Sequence, residues 1–151
     1  MHSVWMWVAI AGCSYHPGSF RDREGPWSGT RVSSGCLDLA VSSTEVIDGS
    51  PVIAYSVGNR CDHKIDIDLG RLHVVARDSH GVATPLVAFD PRGELGPTEL
   101  NALWSGHAQI AYRGAPVQST AICVAVDDTY GDAASSRLVD ERWVCIAKDR
   151  V

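Results

Sequence analysis

The sequence predicts an all-β fold, an antiparallel β-sandwich of seven to eight strands, on three observations. From residue 36 onward apolar and polar residues alternate with period two, as strands with one buried face require. Turn-forming pairs and triplets such as Asp48-Gly49, Ser79-His80-Gly81 and Gly114-Ala115-Pro116 punctuate the alternation at intervals of roughly ten residues. No segment carries a convincing helical stripe of apolar residues.

Taken in order, Leu37, Leu39 and Val41 form the first alternating set and Ile53, Tyr55 and Val57 the second. Asp48-Gly49 between them suits a tight turn with positive φ, so a hairpin is expected. With those two residues at its centre, opposing residues have numbers summing to 97, which sets Cys36 opposite Cys61 but Leu39 opposite Gly58. A one-residue bulge would move Leu39 onto Val57 and leave the cysteines close. The segment 64–77 reads as the clearest strand: Ile65, Ile67 and Leu69 alternate with Asp66 and Asp68, and the phase slips at Gly70 before Leu72, Val74 and Ala76. Val82 to Phe89 reads as an edge strand, because Pro85 cannot donate to a ladder. Residues 90–97 form a turn-rich loop, Glu99 to Trp104 a short strand and His107 to Arg113 a longer one. Ile122, Val124 and Val126 define the next strand, and 142–147 the last. Pairing these two by numbers summing to 268 matches Cys123 with Cys145, Val124 with Val144 and Ile122 with Ile146 together.

The chain has five cysteines. Setting Cys13 aside leaves four, which permit three pairings; the strand registers favour Cys123 with Cys145, and Cys36 with Cys61 follows. No C-x-x-C spacing supports a zinc or thioredoxin-like site. Four cysteines that can close as two bridges suit an oxidising compartment. A length of 151 residues fits one domain with short extras. A net charge of −5 argues against nucleic acid as a partner, since phosphate recognition needs a basic face.

The first thirteen residues, MHSVWMWVAIAGC, are an apolar run from Val4 to Ile10 followed by two small residues and a cysteine. The run is too short to span a bilayer core of ~30 Å, and it reads as a signal h-region. Ile10-Ala11-Gly12-Cys13 resembles the lipobox of a bacterial lipoprotein precursor, which implies cleavage before Cys13 and lipidation of that cysteine. Ser14 in the following position resembles the outer-membrane sorting class. Residues 14–35 are rich in Ser, Gly, Pro and charge and read as a flexible tether, with Trp27 free to fold back onto the domain. The expected organisation is therefore a signal peptide over 1–12, a lipidated cysteine and tether over 13–35, and a β-sandwich over 36–151. Within the last, the order of strand ending Gly58-Asn59-Arg60, strands around 65–69 and 72–77, turn 78–81, Pro-rich loop and strand 108–113 resembles small immunoglobulin-like domains of bacterial envelope lipoproteins.

The search for chemistry finds no G-x-S-x-G, H-E-x-x-H, P-loop or G-x-G-x-x-G motif, and no cofactor is implied. Asp62, His63, Asp66 and Asp68 read as a solvated face, because Asp66 and Asp68 alternate with Ile65 and Ile67. Asp127, Asp128 and Asp132 lack the carboxylate spacing of a calcium loop. His73, His80 and His107 are scattered and read as surface residues. Trp104, two residues before Gly106-His107, is a ring that either stacks on a glycan or covers the open end of the core. Trp143 has an outward phase relative to Val144 and Ile146, which suits either packing or a partner surface.

The function expected is a non-catalytic binding or structural accessory subunit, lipid-anchored to the outer membrane and working with another envelope protein. Two alternatives stand beside it: a carbohydrate-binding module for cell-wall or surface glycan, and a small periplasmic hydrolase or metal-handling protein.

Overall fold

The computed structural model describes residues 13–21, 27–47, 49–126 and 143–147. The expected signal segment and the Asp127, Asp128 and Asp132 group lie outside the described residues. The strands in order are β1 (Cys13–Ser14), β2 (Thr30–Ser34), β3 (Leu37–Ile47), β4 (Ser50–Asn59), β5 (Ile65–Ile67), β6 (Val74–Asp78), β7 (Ala83–Pro85), β8 (Val87–Ala88), β9 (Thr98–Leu100), β10 (Trp104–Arg113), β11 (Ser119–Ala125) and β12 (Trp143–Ala147). A short helix α1 (Pro17–Arg21) follows β1, and a 3₁₀ turn (Leu69–Arg71) separates β5 from β6.

The strands form two main antiparallel sheets, one ordered β1-β10-β4-β3-β2 with β8 also on β10, the other β12-β11-β6-β7; β5 and β9 make a small third sheet. Both main sheets send side chains into one core: Leu37, Leu39, Val41, Ile53, Tyr55, Val57, Ile110 and Tyr112 from the first, and Val74, Ala76, Ile122, Val124 and Val144 from the second. The fold is thus the predicted antiparallel β-sandwich. The Tyr55 and Tyr112 hydroxyls meet inside it at 2.5 Å, which satisfies both polar ends in an apolar setting.

The β3–β4 hairpin contains the expected bulge. Near the turn, Ile47 faces Ser50 and Val46 faces Pro51; the register shifts between Ser43 and Glu45, after which Ser43 faces Ile53 and Leu39 faces Val57. Gly49 has φ 78°, a conformation costly to any residue with a Cβ. Cys36 and Cys61 are bridged just beyond the paired residues, with Cα atoms 5.2 Å apart. On the opposite sheet, β11 and β12 pair in the expected register, and Cys123 is bridged to Cys145 with Cα atoms 4.0 Å apart.

Five expectations are corrected. The segment 64–77 is not one strand: β5 pairs with β9, the chain turns through Leu69–Arg71, and β6 belongs to the second sheet. Gly70 fits that turn because an ideal Cβ there would stand 3.0 Å from Leu95 Cβ. Asp68 is buried, not outward, because β5 ends at Ile67 before the alternation can carry it into solvent. Residues 82–89 likewise divide. β7 is the expected edge, with Pro85 opposite Val75; the Leu86 N–H then donates to Val74 O, and β8 crosses to pair with the end of β10. The strand expected over 99–104 stops at Leu100, since Leu103 adopts φ 56° and breaks the extended run before Trp104.

The fifth correction concerns the tether. Over its described residues, 14–35 is folded onto the first sheet, not flexible: β1 pairs with β10, and β2 adds to β3 from Thr30 opposite Val41 to Ser34 opposite Leu37. The domain boundary expected at 36 therefore falls inside a paired hairpin.

Candidate functional site

The inner side of the first sheet belongs to the sandwich core, and its outer side is covered by the segment that follows β1. Tyr15, Phe20 and Trp27 are buried there with Ala40 in a second, smaller apolar cluster. The Trp27 ring stands edge-on to Tyr15 at 5.4 Å and 74°, and to Phe20 at 5.3 Å and 80°, arrangements that aromatic quadrupoles favour. Its Nε1–H donates to Ser19 Oγ at 3.2 Å. Arg31 on β2 ties the segment down by donating to the carbonyls of Phe20 and Trp27.

Asp38 is the polar centre of this face, 2% exposed. Its carboxylate accepts from the Tyr15 hydroxyl, from Ser33 Oγ at 2.5 Å and from Arg60 Nε at 3.0 Å, so a buried charge is fully partnered. Arg60 also donates to Gly35 O at 2.8 Å. The pKa of the Tyr15 hydroxyl is pushed up, chiefly by burial and then by its bond to Asp38 and that group's negative charge, with Arg60 opposing. The Tyr15 ring lies over Gly58, where any Cβ would collide with it. A backbone bond from Tyr15 N–H to Leu103 O at 2.7 Å completes the attachment.

Asn59 organises the end of the sheet at which β10 begins and β4 finishes. It is 0% exposed. Its amide nitrogen donates to the carbonyls of His63, Leu100 and Asn101 at 3.0, 3.0 and 3.1 Å, and its side-chain oxygen accepts from Cys61 N–H at 2.8 Å. The Asn59 carbonyl accepts from Leu103 N–H at 3.0 Å. The Asn59 side chain thus closes two loops, and its backbone carbonyl holds Leu103, which adopts a left-handed conformation that Leu seldom takes. The result is an exposed apolar pair: Leu103 is 50% and Trp104 43% exposed.

The expected site residues do not converge. Trp104 has the core-facing phase of β10 but lies past the end of the core, whereas His107 is on the outer face. His107 Nδ1 is 2.8 Å from Ser56 Oγ, and its ring is 6.1 Å from Trp27. His107 is therefore a strand-interior residue, not a strand start. Trp143 sits on the other sheet, half-buried, with the Arg77 guanidinium 5.4 Å over its ring. Asp62 and His63 form an exposed pair at 2.8 Å, which lowers the Asp62 pKa mainly through that hydrogen bond. Among the described residues no group of three His, Cys, Asp or Glu could hold a metal ion. Asp38 and Asn59 escaped the sequence reading, although a carboxylate between Leu37 and Leu39 and an Asn ending a strand beside a cysteine were the available signals.

These features define the class, an antiparallel β-sandwich with two cross-links and a strapped outer face. The chain is similar in fold to the crystal structure of the YjhA protein from Bacillus subtilis, with a TM-score of 0.54 and 13% identity over 79% of this chain and 96% of that one. No protein-family model and no curated protein matches the sequence.

Proposed function

We propose that the chain is a lipid-anchored protein of the bacterial envelope, held on the outer membrane through Cys13, whose β-sandwich acts as a non-catalytic binding or structural accessory subunit. The observation that carries this reading is the pair of cross-links, Cys36 with Cys61 and Cys123 with Cys145. Structural bridges persist in oxidising compartments and are rare where thiol reductants act. Export and the lipobox-like Ile10-Ala11-Gly12-Cys13 support each other, since that sequence is meaningful only on a secreted chain. Each methylene of an attached acyl chain contributes ~0.8 kcal/mol to membrane binding, so more than one chain makes attachment lasting. Anchoring then concentrates the domain near an envelope protein in the same membrane.

Cys13→Ala followed by cell fractionation tests the anchor. The wild type is expected in the membrane fraction and the variant in the soluble periplasmic fraction; unchanged membrane association defeats the proposal. The subunit reading is tested by in-cell cross-linking, which is expected to recover one reproducible envelope protein.

A further inference from the structure

We infer that the domain rests end-on against the membrane that holds it, with Leu103 and Trp104 inserted at the headgroup level. The inference rests on lipidation at Cys13 and goes beyond it, because an anchor alone leaves a domain free to stand off on a spacer. Here Cys13 is itself a strand residue. It faces Ser105 across the β1–β10 pair, and Ser14 faces Trp104. Neighbouring strands are ~4.8 Å apart, so Cys13 stands about one strand spacing from the backbone of Ser105, the residue next to Trp104. The headgroup region on each side of a bilayer is itself on the order of 5–8 Å deep, from ~30 Å of hydrocarbon within a total of ~40–45 Å. Side chains that close to the anchor have no room to avoid it.

The segment after Cys13 cannot act as a spacer. Its next residue but one, Tyr15, is bound to Leu103 O, to Asp38 and against Gly58. The two side chains beside the anchor suit the occupant: an amphipathic tryptophan of the kind enriched at membrane interfaces, and a leucine. Leu103 is exposed in a backbone conformation that favours glycine, so its presence is not explained by folding. Two other exposed large apolar residues of this sheet, Val46 and Val87, lie at its far end, beside the hairpin turn and the end of β10. The sheet therefore has a membrane-facing end at Leu103-Trp104 and a far end at Asp48-Gly49.

The experiment uses the full lipidated protein, reconstituted in phosphatidylcholine vesicles containing lipid brominated near the headgroup, with mass spectrometry of its N-terminal peptide in parallel. Tryptophan emission is expected to be quenched in the wild type, and Trp104→Phe is expected to remove most of that quenching. Leu103→Gly is expected to keep or raise stability, because φ 56° suits glycine, while shifting Trp104 emission toward that of a water-exposed ring. A purely structural Leu103 would instead lose stability. Unquenched Trp104 on protein shown to carry lipid overturns the inference and leaves the anchor standing. Emission that responds to peptidoglycan fragments and not to vesicles also overturns it, in favour of a glycan contact. Absence of lipid on Cys13 overturns both.

Discussion

Asp38 shows how much one residue carries. Its carboxylate joins β2, the residue that follows β4 and the N-terminal segment through Ser33, Arg60 and Tyr15. Asp38→Ala removes the acceptor common to three donors, and equilibrium denaturation is expected to show a loss of ~1–3 kcal/mol, with Arg60 partly rescued by water. Gly58→Ala reaches the same contact from the opposite side: the new Cβ meets the Tyr15 ring, and a loss of about 1–3 kcal/mol is expected, accompanied by amide exchange at Tyr15. The tyrosines add a pH dependence. Burial first, and then hydrogen bonding or a neighbouring charge, raises the pKa of Tyr15 and Tyr55, and burial raises that of Tyr112. A raised folded value means stability that is full below the unfolded value of about 10 and falls as pH climbs through the folded values. Tyrosinate absorbance is therefore expected to appear for these three only as the protein unfolds in alkali. Asp90 works in the other direction. N–H donors from Leu95 and Glu94 lower its pKa, so the order it gives the 90–97 loop is present at neutral pH and is lost as acid protonates it. Asp90→Asn is expected to speed amide exchange at Glu94 and Leu95 at neutral pH.

At the scale of elements, pairings that depend on side-chain alternation were legible in the sequence. The 268 register of β11 with β12 and the bulged β3–β4 hairpin both follow from requiring apolar residues to share a face. Where one alternating run serves two sheets, legibility stopped. Residues 64–77 and 82–89 keep the look of single strands, because each half buries its own apolar residues against a different partner. Leu103 was equally hidden, since its left-handed turn is imposed by Asn59 from another strand. The cross-links act on these elements through the unfolded chain. With 22 residues of separation, Cys123–Cys145 is expected to contribute about 3 kcal/mol, so the Cys123→Ala/Cys145→Ala double variant lowers the denaturation midpoint without changing the register.

For the whole molecule, the largest departure from expectation is the N-terminal segment. Its aromatic anchors, Tyr15, Phe20 and Trp27, have no period and sit among Ser, Gly and Pro, so composition reads as a spacer; their partners lie on β3, β4 and β10. Only the three-dimensional sheet supplies the surface that makes them a core. Removing residues 14–27 is expected to expose Ala40 and Asp38 together and to lower the melting temperature, as calorimetry would show.

The order of these attachments along the chain gives the domain a mechanical polarity. A pull applied at Cys13 reaches the body first through β1 and then through Tyr15, which rest on hydrogen bonds and ring packing alone. Behind them stands the covalent loop closed by Cys36 and Cys61, at the same end of the sheet. Traction on the N-terminus that strips the strap and β2 is therefore expected to halt at Cys36, where the bridge to Cys61 takes the load.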